Sequence, residues 1–310
     1  MGESKEMNLF CNQTFLITGA TGTFGQAFVR KVLTLNPRKV ICFSDGENNQ
    51  VEMQREFKDD RLRFMLGTVR DRNRLEMAMG GVDIVVHAAA LKHVDKCEYD
   101  PHEAVETNIN GTINVVSAAI NTGVYKVLLI STDKAVNPAN IYGACKLVGD
   151  FYGTLASRYS SLTKIATIRF GNFFRSRGAF VDYVLELKRK RHIVPITDIR
   201  MTRFFLTVES AVDRAFDAIS DMEGGEIYFP KMRSFRITQL ADKLYPGCVM
   251  EFVGIRKGEK IHEELFTDEQ AARVFERGKL FVVYPLENVP EIDGPKINYN
   301  SGDEPWLIRL

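Results

Sequence analysis

The chain has 310 residues, of which 41 are Lys or Arg and 40 are Asp or Glu, so its formal net charge is only +1. No global field draws it to nucleic acid or to an anionic membrane surface. The five cysteines, Cys11, Cys42, Cys97, Cys145 and Cys248, lack the paired spacing of a zinc site or a disulfide framework, and no apolar run reaches the length of a bilayer span. A cytoplasmic protein that binds a small molecule and no metal is the expectation.

In chain order, residues 14–18 (TFLIT) read as a first buried strand, followed by glycine-rich punctuation and a helical pattern, QAFVRKVLTL, that stops near Pro37. KVICFS, RLRFML, DIVVHAA, KVLLIS and KIATIRF read as further strands. Between them lie helical stretches, VEMQREF, RNRLEMAM and HEAVETNINGTINVVSAAINTG. Strands that are apolar throughout and alternate with helices imply an α/β fold, a doubly wound parallel sheet of Rossmann type covered on both faces.

After Asn172 the alternation is lost. A basic cluster (KRKRH) and a Pro-Ile-Thr-Asp turn follow, then VESAVDRAFDAISD, a helix that returns to the first domain, and a mixed α and β remainder. The expected division places 1–172 with about 203–225 in a dinucleotide-binding domain. About 173–202 and 226–310 form a smaller, discontinuous α/β substrate-binding domain.

Gly19, Gly22 and Gly25 sit between the first strand and the first helix, where backbone amides and the helix dipole can hold a pyrophosphate. Thr21, Thr23 and Phe24 share that loop and that role; the alternative is an ordinary strand-to-helix turn. The G-x-x-G-x-x-G spacing resembles that of extended short-chain dehydrogenases. Asp45 ends the second strand, where a carboxylate accepts from an adenosine ribose and repels a 2′-phosphate, or else is a polar turn residue in SDGENN. It favours NAD, with NADP the lesser expectation. Ala88 and Ala89, after His87, let a planar cofactor approach the backbone, or simply make a tight core.

Tyr142 and Lys146 lie four apart in NIYGACKLVGD and so share a helix face. A cationic Lys146 lowers the phenol pKa, and Tyr142 takes a hydroxyl proton while hydride leaves the same carbon for nicotinamide. Thr132, in Ser131-Thr132-Asp133-Lys134, follows a strand at the carboxyl end of the sheet and is placed to hydrogen-bond a sugar hydroxyl. Asp133 and Lys134 add an acid and a base beyond the needs of hydride transfer, or form a solvated loop pair.

From Phe15 to roughly Phe275 the sequence resembles the inverting UDP-N-acetylglucosamine 4,6-dehydratases, on the segments HAAALKHVDKCEYDP, STDKAVNPANIYGACKL, RFGN with the following SRG, PITDIRMTRFF and VGIRKGEKIHEEL. The resemblance implies Asp133 as acid, Lys134 as base, and Tyr142 with Lys146 as the redox pair. It also implies that Lys92, Asn172, Arg203, Arg256 and Glu259 hold a UDP-sugar substrate, that Thr68 and Val69 lie near the adenine, and that the chain is a homo-oligomer, at least a dimer.

Three departures mark this chain. Ser44-Asp45-Gly46-Glu47 stands where the family has Ser-Arg-Asp-Glu, Thr68 replaces an aspartate, and Phe173-Phe174-Arg175 replaces a small apolar stretch beside the substrate. Two other readings use the same elements: a nucleotide-sugar 4-epimerase, which needs Tyr142 and Lys146 alone, and a non-catalytic NAD-binding regulatory protein.

Overall fold

The computed structural model describes residues 9–176, 178–290 and 299–303, with the backbone alone at 307–308; Arg177 of the SRG motif lies outside the described residues. The first part alternates strictly: β1 (Thr14–Thr18), α1 (Thr23–Thr34), β2 (Lys39–Ser44), α2 (Glu47–Phe57), β3 (Leu62–Leu66), α3 (Arg72–Met79) and β4 (Ile84–His87). Then come α4 (Val94–Tyr99), α5 (Pro101–Val105), α6 (Gly111–Thr122), β5 (Lys126–Thr132), α7 (Ile141–Ala156), β6 (Lys164–Phe170) and β7 (Asn172–Phe173). The rest comprises α8 (Phe180–Lys190), β8 (Val194–Ile196), β9 (Thr202–Leu206), α9 (Val208–Asp221), β10 (Ile227–Pro230), β11 (Arg233–Arg236), α10 (Ile237–Leu244), β12 (Met250–Phe252), α11 (Asp268–Ala271), β13 (Val274–Arg277), β14 (Leu280–Val283) and β15 (Leu307–Ile308).

Nine strands form one sheet in the order β13-β14-β10-β6-β5-β4-β1-β2-β3. It is parallel from β3 to β10, and β14 and β13 close it antiparallel. The fold is therefore α/β and doubly wound, as expected. Its order reverses between β1 and β4, the switch point at whose carboxyl ends ligands bind in sheets of this kind.

Burial follows the period of two. Phe15 and Ile17 pack toward α1 and α9, where Phe28 and Phe216 stack at 4.6 Å, while Leu16 faces Leu75 of α3 and Val115 and Val116 of α6. A separate cluster, with Val184, Val194, Phe205 and Leu240, holds together α8, α10 and the small sheet β15-β11-β9-β7.

Two expectations need correction. The block beginning at 226 does not stay with the smaller unit, because β10, β14 and β13 extend the large sheet; conversely β9 leaves it and pairs with β7 and β11. Apolar four-residue strands fit either sheet, and only the pairing partner decides. The stretch 102–123 is not one helix either, since a π turn at Glu106–Asn110 separates α5 from α6. Its extra residue turns Asn108 inward, where its amide donates to the Leu91 carbonyl at 2.8 Å and its oxygen accepts from the Leu91 amide at 2.9 Å. Among the described residues no helix is long and apolar enough to cross a membrane.

Candidate active site

The floor of the switch point is made by backbone crossing backbone. Gly19 has φ +67°, and a Cβ there would lie 2.7 Å from the amide nitrogen of Ala89, so a side chain is excluded by conformation and by space alike. Its amide donates to the Phe43 carbonyl at 2.9 Å, and the Gly22 amide turns back to the Gly19 carbonyl at 3.0 Å. α1 begins at Thr23 with Gly22 as N-cap and no capping side chain, which leaves its first amides to an anionic ligand. Gln26 donates to the Thr21 carbonyl at 2.9 Å and steadies the loop. Phe24 lends only its backbone to that loop, since its ring is buried 5.8 Å from Phe170 and 6.3 Å from Phe173.

A buried chain of neutral groups ties this floor to the π turn. The Ala89 amide donates to Thr18 Oγ1 at 3.3 Å, Thr18 Oγ1 pairs with His87 Nδ1 at 2.7 Å, and His87 Nε2 pairs with Thr112 Oγ1 at 3.1 Å. Thr112 donates onward to the Asn108 carbonyl at 2.7 Å. Since the Thr112 proton is committed there, Nε2 carries the histidine proton and Nδ1 accepts from Thr18. Burial, reinforced by Lys146, pushes the His87 pKa down to about 3, so the ring is neutral. With Asn108 clasping Leu91, residues 88–91 are fixed at both ends.

Asp45 stands exposed at the end of β2. The Arg70 guanidinium faces it electrostatically while it is gripped by Glu103, with one contact of 3.0 Å, and by Thr107. Thr68 accepts from the Arg70 amide at 3.4 Å, and Val69 is buried against Gly111.

The catalytic turn follows β5. Thr132 ends the strand and donates to Asp133 Oδ1 at 3.0 Å, and a single 3-10 turn, Asp133–Ala135, carries Asp133 and Lys134. This turn docks on α7 at Gly143, where a Cβ would lie 2.2 Å from the Lys134 carbonyl oxygen. Asn140 caps α7 by accepting from the Gly143 amide at 2.8 Å, and its own amide donates to the Gly258 carbonyl at 2.8 Å, which pins the loop 256–260 over the site. Asp133 is fully buried and its Oδ2 has no hydrogen-bond partner. Lys134 Nζ donates to Asp133 Oδ1 at 2.9 Å and to Asn172 Oδ1 at 3.3 Å, and it lies 3.6 Å from Glu263 Oε1.

Carboxylates on two sides favour the ammonium form of Lys134. Burial alone disfavours the Lys134 charge, but Asp133 and Glu263 outweigh it and leave the pKa raised. The Asp133 carboxyl is raised as well, by burial first and then by Glu263, against the pull of Lys134. Tyr142 is buried, which pushes its phenol up to about 12, with Lys134 and the Thr132 hydroxyl acting to lower it.

The Lys134 charge acts to lower the phenol pKa of Tyr142. Lys146, four residues along the helix, donates instead to the Ile130 carbonyl at 2.6 Å, and burial lowers its pKa against the field of Asp150. Asp150 is itself held by buried Arg169 at 2.8 Å.

Of the residues expected at the substrate, Asn172 and Arg203 join this cluster. Arg203 Nε lies 3.6 Å from Glu263 Oε1, and its Nη1 donates to the Thr202 and Ile261 carbonyls. Arg256 and Glu259 instead form a local turn on the rim, with the Arg256 amide donating to Glu259 Oε2 at 3.3 Å. Lys92 is exposed on the loop after β4. Phe174 does not line the catalytic cluster, since it stacks on Phe205 at 5.1 Å in the small sheet's core.

The sequence reading missed Glu263, Gly143 and Asn108. Glu263 lies in VGIRKGEKIHEEL, but that segment has no helical or strand period that sets it apart from Glu259 or Glu264. Among the described residues no group of His, Cys, Asp or Glu is arranged to hold a metal.

Comparison with known proteins gives consistent matches. The family model described as polysaccharide biosynthesis protein matches residues 15–285. An inverting UDP-N-acetylglucosamine 4,6-dehydratase of Campylobacter jejuni is 40% identical over 281 residues, which cover 89% of this chain and 84% of that protein. A UDP-glucose 4-epimerase of Rickettsia felis is 35% identical over 301 residues, 94% of this chain and 86% of that one. Among solved structures, Pen from Bacillus thuringiensis is similar with a TM-score of 0.88 at 36% identity, covering 94% of this chain and 93% of its own.

Proposed function

The chain belongs to the polysaccharide biosynthesis protein family and is a homologue of the inverting UDP-N-acetylglucosamine 4,6-dehydratases, and from that premise we propose that it converts UDP-N-acetylglucosamine to a UDP-4-keto-6-deoxy sugar with inversion at C5. The observation that carries this reading is the buried contact of 2.9 Å between Lys134 Nζ and Asp133 Oδ1, set against Tyr142. An acid and a base in contact beside a phenol supply what elimination requires beyond oxidation.

A nicotinamide dinucleotide held beside these residues would supply the hydride acceptor for oxidation at C4 and the hydride donor for C6. We assign its pyrophosphate to the amides of Gly19 to Gly25, its adenosine ribose to Asp45, its adenine end to Thr68 and Val69, and its nicotinamide end to Ala88, Ala89, Tyr142 and Lys146. The Gly19 cradle and the uncapped start of α1 fit such a group. Asp45 favours NAD over NADP, because its carboxylate repels a 2′-phosphate.

The remaining chemistry belongs to this chain's side chains. Tyr142 takes the C4 hydroxyl proton as a phenolate, a form that the charged Lys134 favours. Passing one proton from Lys134 to Asp133 across their 2.9 Å contact then creates the neutral amine and the carboxylic acid together, without changing the net charge of the site. The amine removes the C5 proton, acidified by the C4 ketone, while Asp133 protonates the C6 hydroxyl, which leaves as water; as hydride adds at C6, C5 takes a proton from solvent on the opposite face, which inverts that centre. Thr132 and Asn172 orient the sugar, and Arg203, with Lys92, Arg256 and Glu259 on the rim, holds the nucleotide.

The outer face of α7, with Val148, Phe151 and Leu155 exposed, supports a homo-oligomer. Mass and NMR spectra of the product from UDP-N-acetylglucosamine, run in deuterated water, test the reading. Loss of one water with deuterium at C5 is expected. Unchanged mass with inverted C4 would instead assign an epimerase.

A further inference from the structure

Glu263 is a carboxylate sealed in the protein, with its side chain 3% exposed, and three cations from three separate segments converge on it. Lys134 from the catalytic turn and Arg203 from β9 each lie 3.6 Å from Oε1, and Lys260 of its own loop lies 3.2 Å from Oε2. Its backbone is locked as well: its amide donates to Ser301 Oγ at 2.8 Å, and its carbonyl accepts from the Ser301 amide at 2.9 Å. Burial works against its charge, yet Lys134, Arg203 and Lys260 hold its carboxyl below the ordinary range.

The three cations differ in what else they do. Arg203 is committed to the Thr202 and Ile261 carbonyls, and Lys260 donates to the Val136 carbonyl at 2.7 Å. The contacts of the Lys134 amine are all to side-chain oxygens, those of Asp133, Asn172 and Glu263. Two of its N–H groups have acceptors on Asp133 and Asn172, and Glu263 faces it as an ion-pair partner. A neutral amine has two N–H groups, and its lone pair would meet a carboxylate, so a charged Glu263 opposes loss of the proton.

We propose that Glu263 is a positioning residue for the elimination step, which fixes the Lys134 amine against Asp133 and sets how tightly that pair holds its proton. The inference rests on the dehydratase reading above. Through Arg203 and Lys260 the same carboxylate joins the segment that holds the substrate nucleotide to the base. The other groups facing it are Asp133 and Tyr142 on the far side of Lys134, and His262, whose Nδ1 turns away to Thr202 Oγ1 at 2.8 Å.

The test is the pH profile of kcat/KM for water loss from UDP-N-acetylglucosamine, measured on NAD-loaded wild type, Glu263→Gln and Lys260→Met. Removing a negative charge beside the pair loosens its proton, so Glu263→Gln should move the acidic limb down by roughly one pH unit. Removing a positive charge does the reverse, and Lys260→Met should move the same limb up. A merely structural role lowers the rate at every pH without opposite shifts, and that result overturns the proposal. If Glu263→Gln does not fold, Lys260→Met decides alone: an unmoved or lowered limb is against it. A wild type that releases no water from the sugar sinks the dehydratase reading and this inference with it, whereas a working wild type with superimposable profiles removes this inference only.

Discussion

The two ends of the site are built on different principles. The cofactor floor is made of backbone and neutral groups: Gly19 against Ala89, and the chain from Thr18 through His87 and Thr112 to Asn108. The end proposed for catalysis is made of charges drawn from distant segments, Asp133 and Lys134 from one turn, Arg203 from β9, and Lys260 and Glu263 from a later loop. A neutral floor holds its shape across pH. A charged cluster has a proton inventory, and that inventory is what the proposed elimination would draw on.

Tyr142→Phe should break the catalytic end alone. It keeps the ring, which packs with Cys97, Ala104 and Cys145, and deletes the proton acceptor. Turnover should fall by roughly 10²–10⁴-fold, with NAD affinity in a calorimetric titration within a factor of a few of wild type. A parallel loss of NAD binding would show that the two ends are not separable.

Gly143→Ala comes next. Its Cβ would overlap the Lys134 carbonyl, so the turn must shift off α7 at a cost of about 1–3 kcal/mol in unfolding free energy. Water loss should suffer more than cofactor binding, because the displaced atoms belong to Lys134, the base of the proposed mechanism. Unfolding midpoints and kcat measured side by side test this.

The smallest effect concerns the floor. The folded-state pKa of His87 is depressed to about 3 from an ordinary 6.5, so its stability contribution is full above pH 6.5 and is lost as pH falls toward 3. From pH 7 to pH 5 that group should cost about 2 kcal/mol of folding stability. His87→Gln should lack this part of the slope in chemical denaturation series. An unchanged slope would mean that the ring is protonated in the fold.

The same contrast explains what was legible. The doubly wound sheet could be read from TFLIT, KVICFS and KVLLIS because fully buried parallel strands need unbroken apolar runs. The glycine loop and the helix that carries Tyr142 and Lys146 could be read because each lies within a short stretch of sequence. The helix through 102–123 was misread because a π insertion leaves the apolar pattern almost intact, and only the buried side chain of Asn108 gives it away. Glu263 was not separable from its neighbours, since its partners come from Lys134 and Arg203, far away along the chain. Helical spacing puts Lys146 on the face of Tyr142, but it gives no sign of the Ile130 carbonyl to which the Lys146 ammonium donates.

The central claim is that Tyr142 serves oxidation while Lys134 serves elimination. Lys134→Met, which keeps most of the aliphatic length and deletes the amine, separates the two in a single-turnover experiment with NAD-loaded protein and UDP-N-acetylglucosamine. The absorbance of reduced nicotinamide should rise and persist, with no deuterium entering C5, whereas in wild type it should decay as the product forms. Water loss at the wild-type rate in Lys134→Met would contradict the account and return Asp133 and Lys134 to an ordinary ion pair.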